Sequence, residues 1–274
     1  MKVAQRQGDP EALRLTEGRR LEQTGEAKAV SGVAIISLDG PIFPKANLLT
    51  EVSGATSLEL FTRDLVAAAD DAQINSILLD VDSPGGVVTD IADAADLVRM
   101  VAAEKTVVSF VSGIGASAAY WIASAASQVV ISQTAMVGSI GVVGTIGVQE
   151  QPDSHGVMDY EIVSSNAPYK RPDPRTDDGA QNIREDMDAI EAVFISKVAS
   201  YRGVTEDHVR SNFGQGGELI GSAAVAAGMA DAVGTFEGVL KSLSSQTQFP
   251  VVLPPIKPPA IRSVPSCHLT KENL

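Results

Sequence analysis

The apolar positions of this chain alternate between short blocks and helical spacing. "GVAIISLDG" (32–40) is a brief, β-branched apolar run closed by a turn signal, which predicts a buried strand. "SLELFTRDLVAAADD" (57–71) then carries apolar residues at 58, 61, 65, 66 and 69. That is the spacing of a helix, with Ser57 as its cap and Glu59 in its first turn. "INSILLDVDSPGG" (74–86) predicts a second strand ending in Pro-Gly-Gly, "IADAADLVRMVAA" a helix, and "KTVVSFVSGIG" a third strand. "ASAAYWIASAAS" (116–127) reads as a helix and "QVVISQ" as a strand. This alternation predicts an α/β fold with a mainly parallel sheet and crossover helices. Sites in such sheets lie beyond the carboxyl ends of strands, where both "SPGG" and Ser117 fall.

Past this region the pattern loosens. "MVGSIGVVGTIGV" (136–148) is an apolar run punctuated by glycine, and "SNAPYKRPDPRTDDG" (165–179) is a loop rich in proline and charge. A long helix is predicted over 180–203, with apolar residues at 183, 187, 190, 194 and 198 and Gly203 as its stop. "TEDHVRSNF" and "GSAAVAAGMADAVG" (221–234) read as two further short helices. The ends differ in kind. Residues 1–30 form a polar arm in which Leu13, Leu15 and Leu21 are too sparse to define a helix, and 246–274 form a proline-rich tail. The expected organisation is therefore an arm (1–30), one catalytic-size domain (31–245) and a tail (246–274).

Composition and charge narrow the function. The 274 residues are 44% hydrophobic and 20% charged, a globular balance with enough chain for a sizeable core. Net charge is −13, which argues against a nucleic-acid or anionic-membrane surface. The single cysteine, Cys267, cannot form an internal disulfide and suits a reducing compartment. No uninterrupted apolar run reaches about 18 residues, so neither a membrane span nor a signal peptide is expected, and the location expected is cytoplasmic.

The candidate chemistry centres on Ser117 in "GIGASAAYWIAS", a lone hydroxyl among small residues just ahead of Tyr120 and Trp121. One reading is close helix–sheet packing, with the hydroxyl bonded back to a carbonyl one turn earlier. The other is a nucleophile: small neighbours admit a substrate backbone, and a helix starting there aims free N–H groups at a developing negative charge. A nucleophilic serine needs a base. His155 sits in a turn, His208 on a polar helix and His268 in the tail, so none is well placed. Lys170, held between Pro168 and Pro172 beside Tyr169, is either a surface lysine or a desolvated amine able to accept the serine proton.

The ordered set "DSPGG", "GASAAYWIAS", "VGSIGV" and "SNAPYKRPDP" resembles the signal peptide peptidase A family of serine–lysine proteases, which includes phage head-maturation proteases. The likeness runs over roughly 30–240 and includes "AAVAAGMADAVG", similar to the family's closing "A…GLVDelG" segment. It implies the Clp/crotonase-like spiral of βαβ units. It also implies Ser117 as nucleophile, Lys170 as general base, and Ser139 as the hydroxyl that orients the lysine. The amides of Gly86 and Ala118 would form the oxyanion hole. No cofactor or metal is implied. The substrate expected is a polypeptide, a scaffold or capsid precursor or peptides, and a homo-oligomer is expected because family members form rings or domes in which the lysine can come from a neighbouring chain. With serine and lysine on one chain of single-domain length, both arrangements, within and between subunits, stay open. Where the family often has Ala-Ser-Gly-Gly, this chain has Ala-Ser-Ala-Ala (116–119). Three alternatives accompany this reading: a signal-peptide-peptidase-like enzyme that degrades residual peptides, a crotonase-like acyl-CoA enzyme, and a non-catalytic assembly subunit of the same fold.

Overall fold

The computed structural model describes residues 19–20, 27–45 and 54–245. Its centre is a nine-stranded sheet whose main path runs β1 (Arg19–Arg20), β2 (Lys28–Val30), β3 (Val33–Asp39), β6 (Ser76–Ser83), β7 (Thr106–Ala116), β8 (Gln128–Ile131) and β11 (Ala232–Val233). From β3 to β11 every pairing on that path is parallel, while β1 and β2 add an antiparallel edge. Two strands, β4 (Ile42–Phe43) and β5 (Thr56–Ser57), pair separately. The central strands are apolar on both faces because both are covered, which is why they read as continuous runs rather than alternating ones.

One face carries most of the helices. Ile36, Leu38, Ile77, Leu79, Val81 and Val111 meet α1 (Leu58–Asp70), α2 (Ile91–Glu104), α3 (Ala118–Ser124) and α4 (Asp177–Arg202) in a single buried cluster. The opposite face is closed by one helix, α7 (Phe236–Ser244). There Phe236 and Val239 pack on Val33, Ile35, Leu78, Val108, Phe110 and Val130, with Phe110 and Phe236 edge to face.

Capping follows the local chemistry. Ser57 accepts the Leu60 amide at the start of α1, and Thr176 accepts the Gly179 amide at the start of α4. Gly203 ends α4 at φ 67°, in the left-handed region that favours glycine. α4 thus begins three residues earlier than its apolar spacing suggests, because Thr176 supplies the cap.

The first of the two short helices forms as α5 (Glu206–Asn212), but the structure corrects the reading of 221–234 as one helix. Only Ser222–Ala227 (α6) is helical; Gly228 turns left-handed at φ 90°, and the chain re-enters the sheet as β11, parallel to β8. Alanine-rich spacing suits either state, and edge pairing to β8 decides it. α7 went unread in the sequence, although residues 236, 239, 240 and 243 carry the helical stripe. The strands at 19–20 and 28–30 fall inside the segment read as an arm. The rest of that arm, with Leu13, Leu15 and Leu21, and the tail from 246 onward lie outside the described residues. No helix among the described residues is long and apolar enough to cross a membrane.

Candidate active site

The site is assembled where β7 outruns its neighbours. β7 pairs with β8 over 108–111, then continues and pairs with β9 (Met136–Gly138) over 114–116. Ala116 lies opposite Gly138, and the chain leaves that pair on both sides through a serine in an unusual conformation: Ser117 at φ 52° and Ser139 at φ 54°. A non-glycine residue held there costs about 1–3 kcal/mol and persists only where its surroundings over-determine it. For Ser117 those surroundings are explicit. Its amide donates to the Gly138 carbonyl at 2.7 Å and its carbonyl accepts the Trp121 amide at 3.0 Å. The Ser139 amide donates to Gly217 at 2.9 Å, just before β10 (Glu218–Ile220), which pairs with β9. The half-buried Ser117 side chain makes no hydrogen bond among the described residues, so the back-bonded geometry of a packing serine is not adopted.

The "SPGG" turn sits against this elbow. A Cβ built on Gly85 would lie 2.8 Å from the Ser117 Cβ and 3.0 Å from the Ala118 nitrogen, so only glycine lets the turn approach so closely. Ser83 tightens the turn by donating to Gly40 at 2.6 Å and accepting the Gly85 amide at 3.1 Å. Gly86 is clamped on the other side. Ile42 donates to Gly85 at 2.9 Å and accepts the Val87 amide at 3.0 Å, leaving the Gly86 amide without an acceptor among the described residues. Any Cβ on Gly86 would fall 2.0 Å from the Ile42 carbonyl oxygen. The Ala118 amide, in the first turn of α3, is likewise untaken, as first-turn amides are in general. Two open amides therefore belong to the turn and the helix that meet at Ser117.

The family model for peptidase family S49 matches residues 99–249, more than half of the chain, and that for Clp protease matches 46–139. The chain belongs to peptidase family S49. It is 29% identical over 212 residues to capsid assembly protease C of Escherichia phage lambda, covering 76% of this chain and 48% of the relative. It is 29% identical over 208 residues to the head–tail preconnector protein of Enterobacteria phage P21, covering 74% and 41%. With Protease 4 of Salmonella typhi it shares 31% over 208 residues, covering 75% and 33%. The chain spans about half, or less, of the length of these relatives.

Of the residues singled out in this S49 chain, the backbone pairing and the turn packing bring Ser117, Ser139, Gly86 and Ala118 to one end of the sheet, while Lys170 is bonded to none of them. Lys170 ends a short 3-10 turn, Pro168–Lys170, on the segment joining β9 to α4. Its side chain is exposed and makes no hydrogen bond or ion pair among the described residues. Tyr169, expected to shield it, is itself 72% exposed. Of the apolar run after β9, Ile140 is buried in the main core, whereas Val143 is 91% exposed and Ile146 and Val148 are exposed as well; Ile162, further along the same segment, is 94% exposed.

The histidines do not fill the gap. His155 is exposed in a turn beside Asp153, and His208 stacks edge-on against Phe213 while its Nε2 meets the Ala227 carbonyl at 3.0 Å. His268 lies outside the described residues. Two supports were missed in the sequence. Ser83 and the Ile42 backbone hold the "SPGG" turn, and only the first carried a signal, as the serine of the motif itself.

Proposed function

We propose that this S49 chain is a serine endopeptidase of the phage head-maturation type, cutting scaffold or capsid precursor polypeptides in the host cytoplasm or within an assembling head. The observation that carries the reading is the elbow: Ser117, at φ 52° and without a hydrogen bond on its hydroxyl among the described residues, is met closely by the Gly85–Gly86 turn, and the amides of Gly86 and Ala118 are open. In this mechanism the Ser117 hydroxyl attacks the scissile carbonyl and passes its proton to the Lys170 amine. The tetrahedral oxygen, now negative, accepts from the Gly86 and Ala118 amides. Lys170 returns the proton to the leaving amine, and water then releases the acyl group from Ser117 by the same route. Ser139, stepping out of the strand paired with the Ser117 strand, orients the lysine.

Lys170 is exposed on the segment between β9 and α4, an arm with large exposed apolar side chains, which favours an arrangement in which it reaches the serine of a neighbouring copy. Two relatives, a capsid assembly protease and a head–tail preconnector protein, support the substrate class by their names. The test is mass spectrometry of the full chain, alone and with casein, for wild type and Ser117→Ala. New termini are expected only with wild type; equal cleavage by both proteins rules out the serine mechanism.

A further inference from the structure

We propose that Tyr120, together with the Arg202–Asp231 pair beneath its acceptor, positions the nucleophile by holding α3 in register with the elbow; the proposal rests on the reading of Ser117 as that nucleophile. α3 has seven residues, too few to keep a fixed orientation by its own helical hydrogen bonds. Its anchors come from elsewhere. The Tyr120 ring is fully buried and its hydroxyl donates to the Met229 carbonyl at 3.0 Å. The next ring, Trp121, stacks on Phe194 of α4 with centroids 4.3 Å apart and planes 6° from parallel.

The Met229 carbonyl is a fixed acceptor because its turn is tied on two sides. Arg202, at the end of α4, donates through Nε to Gly228 at 3.0 Å and through both terminal nitrogens to the Asp231 carboxylate at 3.0 and 2.7 Å. The Asp231 amide donates to Val129 on β8 at 2.7 Å, and the Val129 amide donates back to Asp231 Oδ2 at 2.7 Å. One turn thus joins α4, β8 and α3. Burial pushes the Tyr120 phenol well above its ordinary range, with Arg202 opposing, so it remains a neutral donor.

This anchoring bears on catalysis through the strained serine. The Trp121 amide holds the Ser117 carbonyl, so any rotation of α3 is passed directly to the Ser117 backbone. A loosened helix lets Ser117 relax away from φ 52° and takes its oxygen out of line with the Gly86 and Ala118 amides. Reaction rates fall steeply with such small displacements, while substrate contacts made elsewhere are unchanged.

The experiment uses the full chain and the mildest change, Tyr120→Phe, which removes one oxygen. Three quantities are read per folded molecule: the rate constant for labelling by a small fluorophosphonate, and kcat and KM on a casein peptide. The labelling rate and kcat are expected to fall together by about tenfold, with KM unchanged. Arg202→Lys, which loses the bidentate grip on Asp231, is expected to move both in the same direction. Val239→Ala, in the second core on the opposite face, is expected to lower thermal stability yet leave labelling at the wild-type rate. A Tyr120→Phe protein that melts earlier but labels as fast as wild type overturns the positioning role and leaves the serine mechanism standing. A wild-type chain that is not labelled at Ser117 overturns both.

Discussion

The two halves of the candidate site are built in opposite ways. The nucleophile half is over-determined. Ser117, the "SPGG" turn and Ser139 are held by backbone bonds from three strand ends, and glycines at 85 and 86 allow approaches that no side chain would permit. The lysine half has almost none of this. Between β9 and α4 the regular structure is one three-residue turn, and Val143, Tyr160, Ile162 and Tyr169 stand in solvent. On the function proposed above, the exposed half is completed by a neighbouring copy. Pre-organised amides need a rigid frame, because their value lies in not having to reorganise. A lysine that must lose its water needs only a wall to be pressed against.

The largest expected effect tests this contrast by mixing. Ser117→Ala and Lys170→Arg should each be inactive, the second because arginine stays protonated and cannot accept a proton. Co-assembled in equal amounts, the two should recover roughly a quarter of wild-type casein cleavage if each centre takes its serine and lysine from different copies. No recovery would place both groups in one chain.

Next in size is Gly86→Ala. Its Cβ would meet the Ile42 carbonyl oxygen at 2.0 Å, so the clamp must open and carry the amide away. A loss of about a hundredfold or more in kcat is expected, with circular dichroism unchanged, and near-normal turnover would remove Gly86 from the oxyanion hole.

Arg202→Met strikes the rigid half from behind. It removes the charged partner of the mostly enclosed Asp231 carboxylate and leaves it only the Val129 amide, and urea unfolding should show a loss of about 3 kcal/mol. The same substitution at Arg171, whose partner Glu161 is exposed, should change stability by less than about 1 kcal/mol.

The smallest effect is a titration at the root of the arm. The Arg175 side chain and amide hold the Asp173 carboxyl at about 2, below its ordinary range. Because the folded value is depressed, the order it lends is fully present above the unfolded value near ~4 and is lost as pH falls through about 2. Carboxyl carbon shifts followed by NMR from pH 5 to 1.5 should show this midpoint, and an ordinary midpoint near 4 would mean that the Arg175 contact is not kept in solution.

Much of the rigid half is legible in the residues. β-branched runs and helical spacing locate β3, β6, β7 and β8 with α1 and α2 between them, and parallel order places "SPGG" and Ser117 at strand ends. The choice between a packing serine and a nucleophile was not legible, since both readings accept small neighbours; the free hydroxyl and the φ of 52° bear on that choice. Likewise, alanine and glycine from 221 to 234 satisfy helix and turn equally well. Pairing to β8 splits that segment into α6 and β11.

The order of strands and helices, and the residue types offered for chemistry, were set by local propensity and apolar period, because those act over a few neighbouring residues. The closeness of Gly85 to Ser117, the clamp of Ile42 on Gly86 and the bond from Tyr120 to Met229 join positions far apart in the chain. Such contacts exist only after the sheet has closed its backbone pairing and the helices have buried their apolar faces against it. The same physics leaves Lys170 exposed: the segment around it offers the core no apolar stripe at helical or strand spacing, and among the described residues no partner holds its side chain.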